Sequence, residues 1–257
     1  MTDLTAERIE AALAGRFLGV PARVYPVAVS TDALAISWAG QDQAPEGALV
    51  VADVELSARA RRGPPWVSVQ GASLAFSVIL RPELPVEAEG LLWLLASLAA
   101  ADGVRDASGL PVGLKWPNDL LLANRRLGAV KVDARLAPGR IDAAVVTVRV
   151  NVGGREPGLP EGATSLARAG VDRSRVAVLA AILKRFECWY GASVPALLDG
   201  YRTRCDTLDS WVSAHLMPSG ALTGRAVDVD ERGALVVEAA GRRRPIPIDA
   251  LRRLEPA

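Results

Sequence analysis

Three residue types are scarce in this 257-residue chain, and each scarcity narrows the chemistry open to it. There is one histidine, His215, and nothing in the sequence assembles a Ser–His–Asp triad around it. It reads as a surface or boundary residue. The two cysteines, Cys188 and Cys205, lie apart without metal-ligand spacing, which argues against a disulfide scaffold and a zinc site. Both are expected to be small buried hydrophobes. Of 30 lysines and arginines only three are lysine, Lys115, Lys131 and Lys184, so arginine carries the generic charge and each lysine stands out. Long apolar runs are lacking as well. The stretch "GLLWLLASLAAA" (90–101) is too short to span a bilayer and reads as a buried helix. The start of the chain has no basic segment followed by an apolar run, so no secretory signal is expected. With a net charge of +1, any electrostatic function must be local. Neither nucleic acid nor a membrane is an expected partner, "GRRRP" (241–245) reads as a solvated turn, and the expected setting is cytoplasmic.

What is present is a large apolar fraction arranged in mixed elements. Helices are expected over 5–14, from a cap at Ser30 or Thr31, over 88–101, 172–190 and 193–207. Strands are expected over 23–29, 48–55 and 72–80. A meander follows: "VGLKWPNDLLLA", a turn at Asn124–Arg125, "RLGAVKVDARL", a turn at Pro138–Gly139, and "IDAAVVTVRVNV". A glycine-rich loop over 153–170 ends the sheet. From about 211 the chain turns to short alternating strands. The elements lack a βαβα rhythm, so the class is α+β. The expected architecture is a mixed or antiparallel sheet with flanking helices over 1–208, followed by a small β module over 209–257.

Two stretches could carry chemistry. "LSARARRGPPW" (56–66) sets Arg59, Arg61 and Arg62 in one loop between strands. Arginine forks bind phosphate or carboxylate bidentately, yet a solvated loop with Pro64 and Pro65 blunting a sheet edge fits equally well. "GLKWPND" (113–119) is either a buried Trp116 before an X-Pro bend or a rigid turn presenting Lys115, Asn118 and Asp119.

Taken in order, "VSTD" (29–32), "SARARRGPPW" (57–66), "GASLAFSVIL" (71–80), "KWPND" (115–119), "RRLGAVKVD" (125–133) and "VRVNVG" (148–153) resemble the biotin protein ligase members of the biotin/lipoate ligase family. The tail "LTGRAVDVDERGALVVE" (222–238) resembles that family's C-terminal SH3-like module. The resemblance covers about residues 23–254, and Lys-Trp-Pro-Asn-Asp is its most specific element.

The resemblance implies an ATP-dependent ligase in two steps. A vitamin carboxylate, biotin first or a lipoate-like acid, attacks the α-phosphate of ATP. A lysine of a biotin carboxyl carrier-type domain then takes the acyl group. Arg59, Arg61 and Arg62 would order over the adenylate, and Lys115, Asn118 and Asn151 would lie on the nucleotide side with Mg²⁺. Asp119 would receive the target lysine. Ser30, Thr31 and Trp66 would line the acyl end. No DNA-reading helix-turn-helix is expected before residue 23, no resident metal site is expected, and a homodimer is left open.

Departures from the pattern fall on the acyl side. Arg126 stands where the family keeps a lysine that touches carboxylate and α-phosphate, and Glu55 where it keeps a glutamine. Ala58 and Ala60 replace loop glycines, and Thr147 and Arg149 replace glycines of the last motif. Strand alternation puts Lys131, matched by an apolar residue in the family, on the ligand-facing side with Asp133. The expectation is a charge network of Glu55, Lys131 and Arg149 that reshapes or closes the pocket; an outward Lys131–Asp133 pair in water is the alternative.

Overall fold

Every residue of the strand Ser73–Leu80 (β3) is buried. An apolar run covered on both faces belongs in the middle of a sheet. The computed structural model, which describes residues 2–41, 44–62, 65–154 and 158–257, places it there. Pro64 and positions 155–157 of the glycine-rich loop lie outside the described residues. Six further strands join β3: Ala22–Ala28 (β1), Leu49–Glu55 (β2), Gly113–Lys115 (β4), Asp119–Leu122 (β5), Arg125–Ala137 (β6) and Arg140–Asn151 (β7). Their order is β1-β2-β3-β7-β6-β5-β4. Only β1 and β2 run parallel, joined through the helix Thr31–Gln41 (α2); the other pairs are antiparallel, so the sheet is mixed.

The other helices are Ala6–Ala12 (α1), Glu89–Ser108 (α3), Arg175–Tyr190 (α4) and Val194–Arg202 (α5). Helix α3 is buried continuously from Leu91 to Val104, as an all-round apolar helix must be. It outruns the expected end at residue 101 because Asp102 is satisfied in place: its carboxylate accepts from Trp189 Nε1 at 3.0 Å and pairs with Arg204 at 2.6 Å. Gly103 admits the close crossing of α4, since a Cβ there would overlap the Ile182 backbone. The left-handed Gly109 (φ 75°) ends the helix, its N–H donating to Arg105 O.

Helix α2 covers the opposite face over Val50, Ile79 and Val145. By strand alternation the same face continues past the start of α2 through Ser77, Thr147, Arg149 and Lys131. That continuation, itself largely buried, is where hydroxyl and charged side chains gather on the sheet.

The tail forms a second, five-stranded antiparallel sheet: Trp211–Leu216 (β8), Ala221–Val229 (β9), Leu235–Ala239 (β10), Arg242–Ile246 (β11) and Leu251–Pro256 (β12), ordered β11-β10-β9-β8-β12. Arg242, Arg243 and Arg244 therefore lie on an exposed edge strand rather than in a turn. The meander's first turn is likewise shifted by one residue, to the left-handed pair Ala123–Asn124 (φ 49° and 59°). The module leans on the main sheet: Trp116 Nε1 donates to Gly233 O at 3.1 Å, and Arg202 reaches Asp228 and the Val229 carbonyl. Cys205 is buried as expected, but Cys188 is exposed, because it falls on the outer side of α4. His215 is partly exposed and lies 3.1 Å from Glu255.

Candidate active site

The β4–β5 hairpin is built on Trp116. Its ring is buried and its backbone N–H donates to Thr207 Oγ1 at 2.9 Å. That anchor fixes the turn to Asn118, whose side-chain amide donates to Val130 O at 3.0 Å while its backbone carbonyl accepts from Val130 N–H. The Asn118 amide is thus spent on joining the hairpin to β6, leaving its side-chain oxygen for a ligand. Lys115 and Asp119 face each other across the hairpin. The Lys115 ammonium has no partner among the described residues.

Asp119 is paired instead with Arg126, at 2.8 Å. The Arg126 guanidinium also lies 5.3 Å from the Trp66 ring centre. Three buried polar atoms here have no partner among the described residues: Arg126 Nε, Trp66 Nε1 and the Asn151 side-chain oxygen. Asn151 is tied to the same neighbourhood, because its amide donates to Thr164 O while Thr164 N–H donates to Arg126 O. Buried polar groups are normally satisfied, so this cluster of donors and acceptor has the chemistry to take a polar ligand or ordered water. Arg126, Lys115 and the indole make it suited to an anion carrying an aromatic or apolar part.

Beside it the sheet face is filled by the protein's own charges. Arg149, 4% exposed, donates from Nε to Glu55 Oε2 at 2.6 Å and from a terminal nitrogen to Glu55 Oε1 at 2.9 Å. The same nitrogen reaches Asp32 Oδ1 at 3.3 Å. Asp32 accepts from Lys131 at 2.7 Å, and Lys131 also donates to Asp133 at 2.7 Å. Glu55 Oε1 takes two more hydrogen bonds, from the Thr31 N–H and hydroxyl, and the Thr31, Ser77 and Thr147 hydroxyls form a buried ladder. Ser30 caps α2, its Oγ accepting from Ala33 N–H at 3.3 Å. Burial works against the Arg149 charge, but the hydrogen bonds and charges of Glu55 and Asp32 outweigh it, and its pKa is raised. Burial likewise opposes ionisation of Asp32, while Lys131, Ser30 and Arg149 hold its pKa below the ordinary value. Three carboxylates face two cations here, so no cation of the network is left for an outside carboxylate.

The expected network of Glu55, Lys131 and Arg149 therefore exists, with one difference in its wiring. Lys131 does not touch Glu55; Asp32 stands between them, and Lys131 makes the Asp133 pair as well. Asp32 is the residue that sequence reasoning missed. Its signal was the fourth position of "VSTD", an acid where the family pattern has an amide. Ser77 was missed too, being an ordinary strand residue by sequence.

The three loop arginines separate. Arg59 is exposed, its guanidinium without a partner among the described residues, and its backbone carbonyl accepts from Arg149 at 3.1 Å. Arg61 donates to the Ile248 and Leu251 carbonyls at 3.2 and 2.9 Å, and Arg62 to the Asp249 carbonyl at 2.9 Å. Burial and the neighbouring Arg62 charge lower the Arg61 pKa to about 10, Asp119 partly opposing them. Ala58 is buried, and its carbonyl accepts from Trp66 N–H at 3.0 Å, which closes the base of the loop.

Known proteins share the sequence pattern and the fold. The model of the biotin/lipoate A/B protein ligase family matches residues 25–151, a span that takes in Ser30 to Asn151, and the biotin protein ligase C-terminal domain matches 210–248. The biotin--[acetyl-CoA-carboxylase] ligase of Mycobacterium tuberculosis is 33% identical over 222 residues, 83% of this chain and 80% of that protein. The chain belongs to the biotin protein ligase family. A bifunctional ligase/repressor, BirA of Bacillus spizizenii, is 26% identical over 84% of this chain and 69% of its own length. Among solved structures of the family, the biotin protein ligase from Aquifex aeolicus in complex with biotin and ATP superposes with a TM-score of 0.75, at 26% identity, over 92% of this chain and 99% of that one. The α+β fold with its C-terminal β module is thus the family's fold. No helix among the described residues is long and apolar enough to cross a membrane, and no group of three or more His, Cys, Asp or Glu side chains forms a metal site there.

Proposed function

We propose that this chain is an ATP-dependent ligase that activates a carboxylic acid as an acyl-adenylate and passes the acyl group to a lysine of a carrier-protein domain in the cytoplasm, with biotin the first acid to test. The observation that carries the reading is the cluster of Arg126 Nε, Trp66 Nε1 and Asn151 oxygen without partners among the described residues, with Lys115 opposite Asp119 on the adjoining hairpin. Residues 1–208 supply the catalytic unit and 209–257 a module docked against it.

In the first step a carboxylate oxygen attacks the α-phosphorus and the bond to pyrophosphate breaks. Lys115, Arg126 and Arg59 offset the charge gathered on carboxylate and phosphates, Asn151 and Asn118 accept or orient, and Trp66 donates its N–H. Mg²⁺ would arrive on the nucleotide's own phosphates and neutralise part of their charge. In the second step the amine nitrogen attacks the acyl carbon, the bond to AMP breaks, and the amine proton passes to Asp119. Arg126 must leave Asp119 for this, and an anion drawing its fork away achieves that.

One observation favours a second reading, the same chemistry on a different acid. Glu55, Thr147 and Arg149 match positions that line the acyl end in the family, and here Glu55 and Arg149 are spent on each other and Thr147 on Ser77 inside a buried network. Pyrophosphate exchange into ATP, with biotin, lipoate and octanoate added singly, tests both. Exchange with biotin supports the first reading and exchange with another acid only supports the second. Silence with every acid, despite nucleotide binding, removes both in favour of a non-catalytic relative.

A further inference from the structure

The turn that presents Lys115, Asn118 and Asp119 is held by residues from outside the hairpin. Strand β4 ends the sheet order, and the segment after α5 runs along its open edge. Leu114 N–H donates to Arg204 O at 2.8 Å, and Asp206 N–H donates to Leu114 O at 2.8 Å. The next outward donor is Trp116 N–H, and its acceptor is a side chain, Thr207 Oγ1 at 2.9 Å. The last rung before the turn is therefore supplied by a hydroxyl. A second hydroxyl reaches the turn from α3, where Ser97 Oγ donates to Pro117 O at 3.3 Å. Thr207 and Ser97 are both buried, 5% and 1% exposed. Thr207 is itself fixed: its carbonyl accepts from Ser210 Oγ at 2.6 Å, and Ser210 O accepts from Ala226 N–H of β9 at 2.9 Å. A buried N–H that loses its acceptor keeps the whole cost of leaving water, so the backbone must shift to relieve it. Here any such shift starts one residue from Lys115 and two from Asn118.

We infer that Thr207, seconded by Ser97, is a positioning residue for the adenylation step. Acting through Trp116 N–H and Pro117 O, the two hydroxyls fix the turn that sets the Lys115 ammonium and the Asn118 amide in place. Neither residue touches the reacting atoms. The inference rests on the reading above in giving Lys115 and Asn118 their part in the chemistry, while the hold on the turn stands apart from that reading. The Thr207 bond, short and tied onward to β9, carries more of the hold than the longer Ser97 bond.

The test uses the full chain with two readouts. One is amide hydrogen exchange over residues 113–119, followed by mass spectrometry. The other is the rate of pyrophosphate exchange at saturating ATP, with biotin, lipoate or octanoate as the acid. Thr207→Val keeps the shape and removes the acceptor, whereas Thr207→Ser keeps the acceptor and removes a methyl. In Thr207→Val the hairpin amides should exchange at least about tenfold faster, with those of β3 unchanged, and the rate should fall about tenfold. Thr207→Ser should stay within about twofold of wild type on both, because the hydroxyl alone makes the bond. Ser174→Ala, which removes the cap of α4, lowers stability elsewhere and should leave the rate unchanged. If Thr207→Val does not fold, Ser97→Ala takes its place, with about threefold changes expected in both readouts. Equal hairpin exchange in wild type and variant overturns the inference. So does faster hairpin exchange with an undiminished rate, or a Thr207→Ser protein as impaired as Thr207→Val. A wild type without pyrophosphate exchange on any of the three acids removes the functional reading, and the hydrogen exchange then still decides whether Thr207 holds the turn.

Discussion

Arg126 and Asp119 hold each other at 2.8 Å across the β5–β6 hairpin, the cation next to the unpartnered ligand cluster and the acid at the head of β5. Both are partly exposed, 39% and 25%, so the pair is weak enough to exchange partners. Arg126→Ala should lower pyrophosphate exchange by about 10²-fold, the usual loss when one preorganised donor to developing charge is removed. Asp119→Asn should leave exchange within a few-fold and depress acyl transfer to the carrier. If the two variants affect both half-reactions equally, the division of labour is wrong.

Glu55 sits fully buried against Arg149, and its removal leaves a buried guanidinium with only the longer bonds to Asp32 and the Arg59 carbonyl. Breaking such a pair from one side costs about 3–5 kcal/mol, whereas replacing both partners with similar volume costs far less. Glu55→Ala should therefore cut unfolding free energy by that amount, and Glu55→Gln with Arg149→Met by less than half of it. Urea melts of the three proteins decide; equal losses would mean the ion pair is not the source.

Much of this network was legible from residue types set against the family resemblance. Lys131 stood out because the chain hardly uses lysine, Glu55 and Arg149 because a charge and a large side chain stand at positions the pattern keeps neutral or small. All three are in the network. The wiring was not legible, because Asp32 and Lys131 are 99 residues apart and only the packing of α2 against the sheet brings them to 2.7 Å. Nor was the destination of Arg61 and Arg62. Their acceptors are backbone carbonyls, which every residue carries, so no side chain at 248–251 announces them. The helix α3 was read too short for a related reason: an acid inside an apolar run looks like an end until its buried partners are known.

Asp32 gives the fold an acid-sensitive point. Its pKa is lowered in the folded protein: burial pushes upward, but Lys131, Ser30 and Arg149 outweigh it. A carboxylate with a lowered folded pKa contributes stability that is complete above its unfolded value, 3.8, and is lost as pH falls through the folded one. Lys131→Met removes the strongest lowering partner and moves the folded pKa up toward the unfolded one, so less stability should be lost on acidification: the variant should be less stable than wild type near neutrality, with the two curves converging at low pH. Coincident curves would show that Arg149 alone sets the Asp32 charge.

Gly90 offers a way to reach the β4–β5 hairpin from a distance. It opens α3 directly under the β9–β10 turn, where a Cβ would overlap the Arg232 carbonyl and the Gly233 backbone. That turn also accepts the Trp116 indole N–H. Gly90→Ala should favour helix formation locally yet destabilise the protein by about 1–3 kcal/mol, as overpacking does. Because the clash lifts the module rather than the sheet, the hairpin amides over 113–119 should exchange hydrogen faster while the Arg149–Glu55 pair stays closed. Mass spectrometry of the exchange, compared between the hairpin and β3, decides: faster exchange in the hairpin only is expected, and unchanged exchange in both would mean the bond to Gly233 contributes nothing to the order of the turn.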